Sequence, residues 1–173
     1  MMKKIIVFVL CTIMALSTVA CSSKVIEKEK DPSVSKENSV QIPNPFVDCE
    51  TLEMAKQLAG FNISLPEKMP KDFTQNEIRA IENNMIEVNY KNGDDEIYIR
   101  KAKGNEDISG DYNEYNEKNT ITIGNLNVTT KGNDNMIQVV IWNDGDYTYA
   151  IGTNNDGKGI DKNIVNDMIK NIK

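Results

Sequence analysis

The sequence predicts an α+β domain: one antiparallel meander sheet of about seven strands, with an N-terminal and a C-terminal helix packed on one face. Three observations predict it. Short runs of alternating apolar and polar residues recur from about residue 76 to residue 151. Turn signals separate them, at Asn92-Gly93, Gly124-Asn125, the run Gly132 to Asn135, and Asp144-Gly145. Two segments carry the helical period instead, TLEMAKQLA and IDKNIVNDMIKNI, and they stand at opposite ends of the strand-rich region. Helices at the ends, not between successive strands, argue for packing against an antiparallel sheet.

The chain has 173 residues, enough for one domain with a real core. Its first twenty are set aside. MMKK is a basic start, and the apolar or small run that follows holds 16 residues. A spanning helix needs about 20. Ser17, Thr18, Val19 and Ala20 then precede Cys21, the layout of a secretory signal over residues 1–20. A cysteine directly after small residues resembles the bacterial lipobox, in which that cysteine is acylated and becomes the new N-terminus. Thr18 stands where the pattern has an aliphatic residue, and Thr18 and Ala20 also suit ordinary signal peptidase. Ordinary cleavage would leave an N-terminal thiol without a role, so lipidation of Cys21 is the preferred reading. It predicts an extracytoplasmic lipoprotein held to the outer face of the cell membrane by its acyl anchor. Residues 22–42 are rich in Lys, Glu and Ser and read as a disordered tether. Such a coil spans on the order of 25 Å. Ser33 and Lys36 match an S-x-x-K pattern within it, where no helix or pocket is expected, so the match reads as chance.

The folded region is expected over residues 43–173. Thr51 suits an N-cap because its hydroxyl can accept an orphan helix N–H. Leu52, Ala55, Leu58 and Ala59 then form one apolar stripe, and Gly60 can take the left-handed position past the helix end. Phe61, Ile63 and Leu65 alternate like a short strand that stops at Pro66. Residues 76–82 are open between strand and helix. The clearest element is MIEVNYKNGDDEIYIRKA, a hairpin about Asn92-Gly93. A two-residue Asn-Gly loop sets Val88 opposite Ile97; a four-residue loop sets Tyr90 there. Either way Ile86, Val88, Tyr90, Ile97 and Ile99 share the core face, and Glu87, Asn89, Glu96 and Arg100 take the other. Four further strands follow. Residues 136–142 are apolar on both faces, as in a central strand. A turn on Asp144-Gly145 would set Trp142 beside Tyr147. Asp161 is the expected cap of the last helix, with Ile160 and Val165 as a staple. Ile164, Val165, Met168, Ile169 and Ile172 form its stripe.

Composition excludes several functions. Lys3 and Lys4 fall in the signal and no acid does, so the formal net charge of −6 for the whole chain becomes −8 from Cys21 onward. An acidic chain argues against nucleic acid as a partner. Cys11 leaves with the signal and Cys21 carries lipid, so Cys49 alone remains and no intrachain disulfide can form. The chain has no histidine. That removes Ser-His-Asp and Cys-His catalysis, His-containing zinc sites and the usual proton shuttle at neutral pH. A lone Cys49 reads as a small packing residue, not a nucleophile. The expectation is a non-enzymatic protein without a cofactor.

The stretch RKAKGNEDISGDYNEYNE, residues 100–117, breaks the strand pattern and holds the candidate recognition loop: Asp107, Asp111, Tyr112 and Tyr115. Carboxylate and carbonyl oxygens suit calcium. EF-hand positions 1, 3 and 5 fall on Asn105, Asp107 and Ser109. Position 8 is Tyr112 instead of an aliphatic, position 12 is Asn116 instead of Glu, and strands flank the loop. No metal ligand set is assigned. A calcium-dependent module, or a carboxylate-based hydrolase using residues 105–117, is the alternative to a binding function. Arg100, Lys101 and Lys103 sit at the loop's root and could pin Asp107 or Asp111 to the sheet. Trp142, Tyr147 and Tyr149 form a candidate aromatic face, with core packing as the competing reading.

Several pieces also carry a family resemblance: NPFVDCETLEMAKQLAGF, MIEVNYKNGDDEIYIRKAKGNEDISGDYNEY, KGNDN with the strand of Trp142, and MIKNI. Over about residues 43–173 the chain resembles an uncharacterised family of clostridia-type, Gram-positive lipoproteins. They belong to a domain-of-unknown-function group that also occurs in anti-sigma-like, membrane-anchored proteins. The resemblance implies an extracytoplasmic lipoprotein domain of unknown activity and supplies no catalytic residues; the function expected here is a binding or sensing module for a protein, peptide or envelope ligand.

Overall fold

Eight of the nine strands of one antiparallel sheet lie side by side, and the order in which they do so explains the long loop after residue 103. The computed structural model describes residues 43–154 and 158–172. The signal peptide, Cys21 and the tether expected over 22–42 lie outside the described residues. The elements are β1 (Val47–Asp48), α1 (Leu52–Ala59), β2 (Thr74–Ile81), β3 (Met85–Asn92), β4 (Asp95–Lys103), β5 (Glu117–Ile123), β6 (Leu126–Asn133), β7 (Met136–Asp144), β8 (Tyr147–Thr153), β9 (Ile160–Asp161) and α2 (Lys162–Asn171). Across the sheet they run β1-β2-β3-β4-β8-β7-β6-β5, with β9 paired to β7.

The architecture is α+β, but the sheet is not one plain meander of seven strands. Two runs of neighbours, β1–β4 and β5–β8, meet where β4 pairs with β8. Every pairing is antiparallel. Four reversals separate β4 from β5, so those two strands run parallel. A parallel connection must return along the full strand length and needs a dozen or more residues. Residues 104–116 are that connection.

Both helices end as their sequences require. Thr51 Oγ1 accepts a hydrogen bond from Met54 N at 3.2 Å, and Gly60 closes α1 at φ 76°. Asp161 caps α2 by accepting from Asn163 N at 2.8 Å. Ala55 and Ala59 of α1 and Val165, Met168 and Ile169 of α2 are buried in one core with Ile86, Val88, Ile97, Ile99, Val140 and Ile151 of the sheet. Ile164 departs from the expected stripe: it is 38% exposed and lines a cavity of about 280 Å³ with Phe73, Ile97 and Ile160.

The segment left open over residues 76–82 resolves as strand as far as Ile81, within β2, and Glu82 begins the turn. Residues 61–65 do not form the expected strand. Ile63 is buried, yet the Asn62 carbonyl accepts from Lys101 Nζ at 2.7 Å, so a side chain takes the place of a ladder partner. Both diagnostic hairpins turn one residue later than their Asn-Gly and Asp-Gly dipeptides suggest. Asn92 pairs with Asp95 and Asp144 with Tyr147, leaving Gly93-Asp94 and Gly145-Asp146 as the two-residue loops. Glycine stands first in each loop with positive φ, the position a type II′ turn reserves for it. Tyr90 is therefore opposite Ile97, and Trp142 opposite Tyr149 instead of Tyr147.

Candidate functional site

The side of the sheet away from the helices is not left to water. Arg79 on β2, Glu87 on β3 and Arg100 on β4 occupy one rung, each directly opposite the next. They include the two arginines of the chain. Glu87 is fully buried between them, accepting from Arg79 Nε at 2.8 Å and from Arg100 Nε at 2.5 Å. Asn89 Nδ2 donates to Glu87 at 3.0 Å. Burial alone would raise the carboxyl's pKa. The charge of Arg100 and the hydrogen bonds from both arginines outweigh it and hold Glu87 below its ordinary value. With both oxygens engaged and no exposure, Glu87 is a structural anion and not a general base.

Arg100 carries the rung outward to the crossover. Its Nη1 donates to the carbonyls of Ile108 and Ser109, at 2.9 and 2.6 Å. Tyr98 Oη donates to the Ser109 carbonyl at 2.8 Å, and the Arg100 guanidinium lies 4.4 Å from the Tyr98 ring centre. The Tyr98 ring lies so close over Gly152 of β8 that an added methyl group there would overlap it. Ser109 is buried as a result.

Short polar links stiffen the rest of the loop. Asp107 Oδ1 accepts from Ser109 N at 2.9 Å and Ser109 Oγ at 2.6 Å, and Asp111 Oδ1 accepts from Asn113 N at 3.2 Å. Lys131 of β6 reaches Asp107 Oδ2 at 3.4 Å. Burial opposes ionisation of Asp107, but the Ser109 hydrogen bonds and the Lys131 charge prevail and lower its pKa. At the far end Asn116 N donates to Asn133 Oδ1 at 2.9 Å.

The pinning expected of Arg100, Lys101 and Lys103 is therefore corrected in its details. Arg100 grips loop carbonyls, not Asp107 or Asp111. Lys101 points to the core side, because strand alternation groups it with Ile97 and Ile99. There it is 7% exposed, bonded to the Asn62 carbonyl and set 4.4 Å from the Tyr147 ring centre and 5.1 Å from that of Tyr149. Burial pushes its pKa down, partly offset by Asp144. Asp107, paired by Lys131, is held from the β6 side.

Of the candidate residues, Tyr112 is 96% exposed, while Asp111 and Tyr115 are half-buried. The aromatic face dissolves. Trp142 and Tyr149 are buried core residues stacked at 5.0 Å and 7°, and half-buried Tyr147 packs on Phe61 at 5.0 Å. Burial pushes the Tyr149 hydroxyl up to about 12. Asp107 and Ser109, at two of the EF-hand-like positions, bond to each other instead of converging on a central point. Among the described residues no group of three His, Cys, Asp or Glu side chains is placed to hold a metal ion. Cys49 is half-buried, and burial followed by the Asp48 charge raises its thiol pKa, the reverse of an activated cysteine.

Sequence reasoning missed Glu87 and Lys101 as buried charges. The available signal was that the chain's two arginines fall at cross-strand positions on either side of Glu87. No family model, curated protein or solved structure matches this chain.

Proposed function

We propose that this chain is a lipid-anchored, extracytoplasmic, non-enzymatic binding module, attached through acylated Cys21, whose crossover loop 104–116 presents Tyr112 to a protein, peptide or envelope ligand. One observation carries the reading. Tyr112 is 96% exposed, yet the loop around it is fastened at Ile108, Ser109 and Asn116. The topology accounts for the length of the loop, but not for a tyrosine left almost fully exposed on it. An aromatic ring on a pre-ordered backbone binds without the entropy cost of ordering a mobile loop. The lipobox-like Cys21 and the resemblance to Gram-positive lipoproteins support the location. The acidic surroundings, with Glu106 and Glu114 exposed nearby, favour a partner with basic groups.

The test is capture of a partner by crosslinking in intact cells, comparing the wild-type chain with Tyr112→Ala. The reading expects a discrete partner whose recovery drops at least tenfold in the variant, while folding stability stays within about 0.5 kcal/mol. Equal recovery by both chains would overturn it.

A further inference from the structure

The two edges of the sheet differ. At one edge β1 covers β2 only opposite Arg79 and Ala80, and β2 carries a bulge between Gln75 and Glu77. A short covering strand and a bulge are devices that prevent further strand pairing. At the other edge β5 has neither. It pairs with β6 alone among the described residues, in unbroken register from Glu117 to Ile123, and contains no proline. Its outer face therefore offers a row of unpaired N–H and C=O groups. Ile121 and Ile123 are only partly buried on its core side, and Thr120 is exposed. A groove of about 410 Å³, lined by Glu117, Asn119, Ile121, Asp161 and Lys162, separates this strand from the start of α2.

We infer that β5 is the pairing edge for a second copy of this chain, joined antiparallel about a two-fold axis at Thr120. The strand's own sequence argues for that occupant. In this register all seven residues overlap: Thr120 meets Thr120 of the other copy, Asn119 meets Ile121, Lys118 meets Thr122 and Glu117 meets Ile123. No like charges oppose each other, and the central Thr–Thr pair is a favourable cross-strand contact. Among axes along the strand only the one at Thr120 pairs all seven residues, and an axis at Lys118 would also set two lysines face to face. The partly buried Ile121 and Ile123 of each copy gain cover on the same side of the extended sheet. This inference is independent of any role for Tyr112.

The experiment uses the full chain in intact cells, with Thr120→Cys or Lys118→Cys placed on a Cys49→Ser parent. Mild oxidation is followed by non-reducing electrophoresis. Opposed Thr120 positions bring Cβ atoms to about 5 Å, within disulfide reach. The two Lys118 positions would lie about 13 Å apart along the strands. The expected result is a reducible dimer for Thr120→Cys, at least tenfold above both the parent and Lys118→Cys. Thr120→Lys, which sets like charges on the axis of the otherwise unmodified chain, should convert a species of twice the monomer mass to monomer in sedimentation, with unchanged circular dichroism. A monomeric wild-type chain, equal crosslinking at positions 118 and 120, or crosslinking through β5 to a different protein would overturn the inference.

Discussion

Glu87 and Arg100 form the joint between the sheet and its crossover loop: Glu87 Oε2 accepts from Arg100 Nε at 2.5 Å, and the same guanidinium donates to the Ile108 and Ser109 carbonyls. The charge that holds the loop is thus neutralised from beneath. Glu87 supplies a buried anion and Arg79 shares it. The loop's backbone groups complete the hydrogen bonding that a buried charge network requires.

Removing the anion leaves two guanidinium groups facing each other across a buried gap. Glu87→Ala should cost about 3 kcal/mol, the scale for breaking a buried ion pair from one side. Glu96→Ala is the control, since Glu96 pairs with Lys91 where both side chains are more than two-fifths exposed. It should cost less than about 1 kcal/mol. Urea unfolding at neutral pH measures both, and equal losses would contradict the assignment.

Acid should expose the same network. The unfolded Glu87 titrates near 4.3, and its folded pKa lies below its ordinary value. The unfolded state therefore takes up the proton first. The contribution is fully present above about pH 4.3 and is lost as pH falls through the folded value. Asp107, also held low, acts with the same sign. Urea midpoints between pH 7 and pH 3 should fall more steeply below about pH 4.3 for wild type than for Glu87→Gln. Parallel curves would show that Glu87 does not carry the acid response.

Gly152 is open to a sharper test because nothing about it is charged. A methyl group there must displace Tyr98 from its place over β8, and with it the bond to the Ser109 carbonyl. Gly152→Ala should destabilise by about 1–3 kcal/mol, as overpacking does. It should also raise amide hydrogen exchange across residues 107–113 while leaving the β5–β6 ladder protected. Unchanged exchange in the loop would mean that Tyr98 does not hold it.

The proposed anchor has a direct chemical readout. Labelled palmitate should enter the wild-type chain and be absent from Cys21→Ala, which should also leave the membrane fraction. Label that persists in the variant would place the acyl group elsewhere.

Much of the fold was legible in the sequence where local chemistry decides. Thr51, Gly60 and Asp161 end their helices through hydrogen bonds and backbone angles confined to one turn. The core face of the first hairpin followed from alternation alone, whichever turn formed. Alternation does not say whether the opposite face is covered, so Glu87, Asn89 and Arg100 read as solvent-facing polar residues. Glu87 is buried and Asn89 and Arg100 are half-buried, because the two arginines close over Glu87 and the connection between parallel strands is held against Arg100 and Tyr98, a consequence of strand order that no local pattern carries. The hairpin turns shifted by one residue because glycine took the first loop position instead of the second. That set Trp142 opposite Tyr149 instead of Tyr147, while alternation keeps all three rings on the core face in either register. Tyr112 stood out in sequence for its wholly polar neighbours, and it is the one loop aromatic left bare.

A photo-crosslinking amino acid at position 112, in intact cells, tests the account most directly, with and without Gly152→Ala. A rigidly presented recognition loop predicts one discrete adduct to a partner, reduced at least fivefold when Gly152→Ala frees the loop. No adduct, or an adduct of equal yield from both chains, would contradict it.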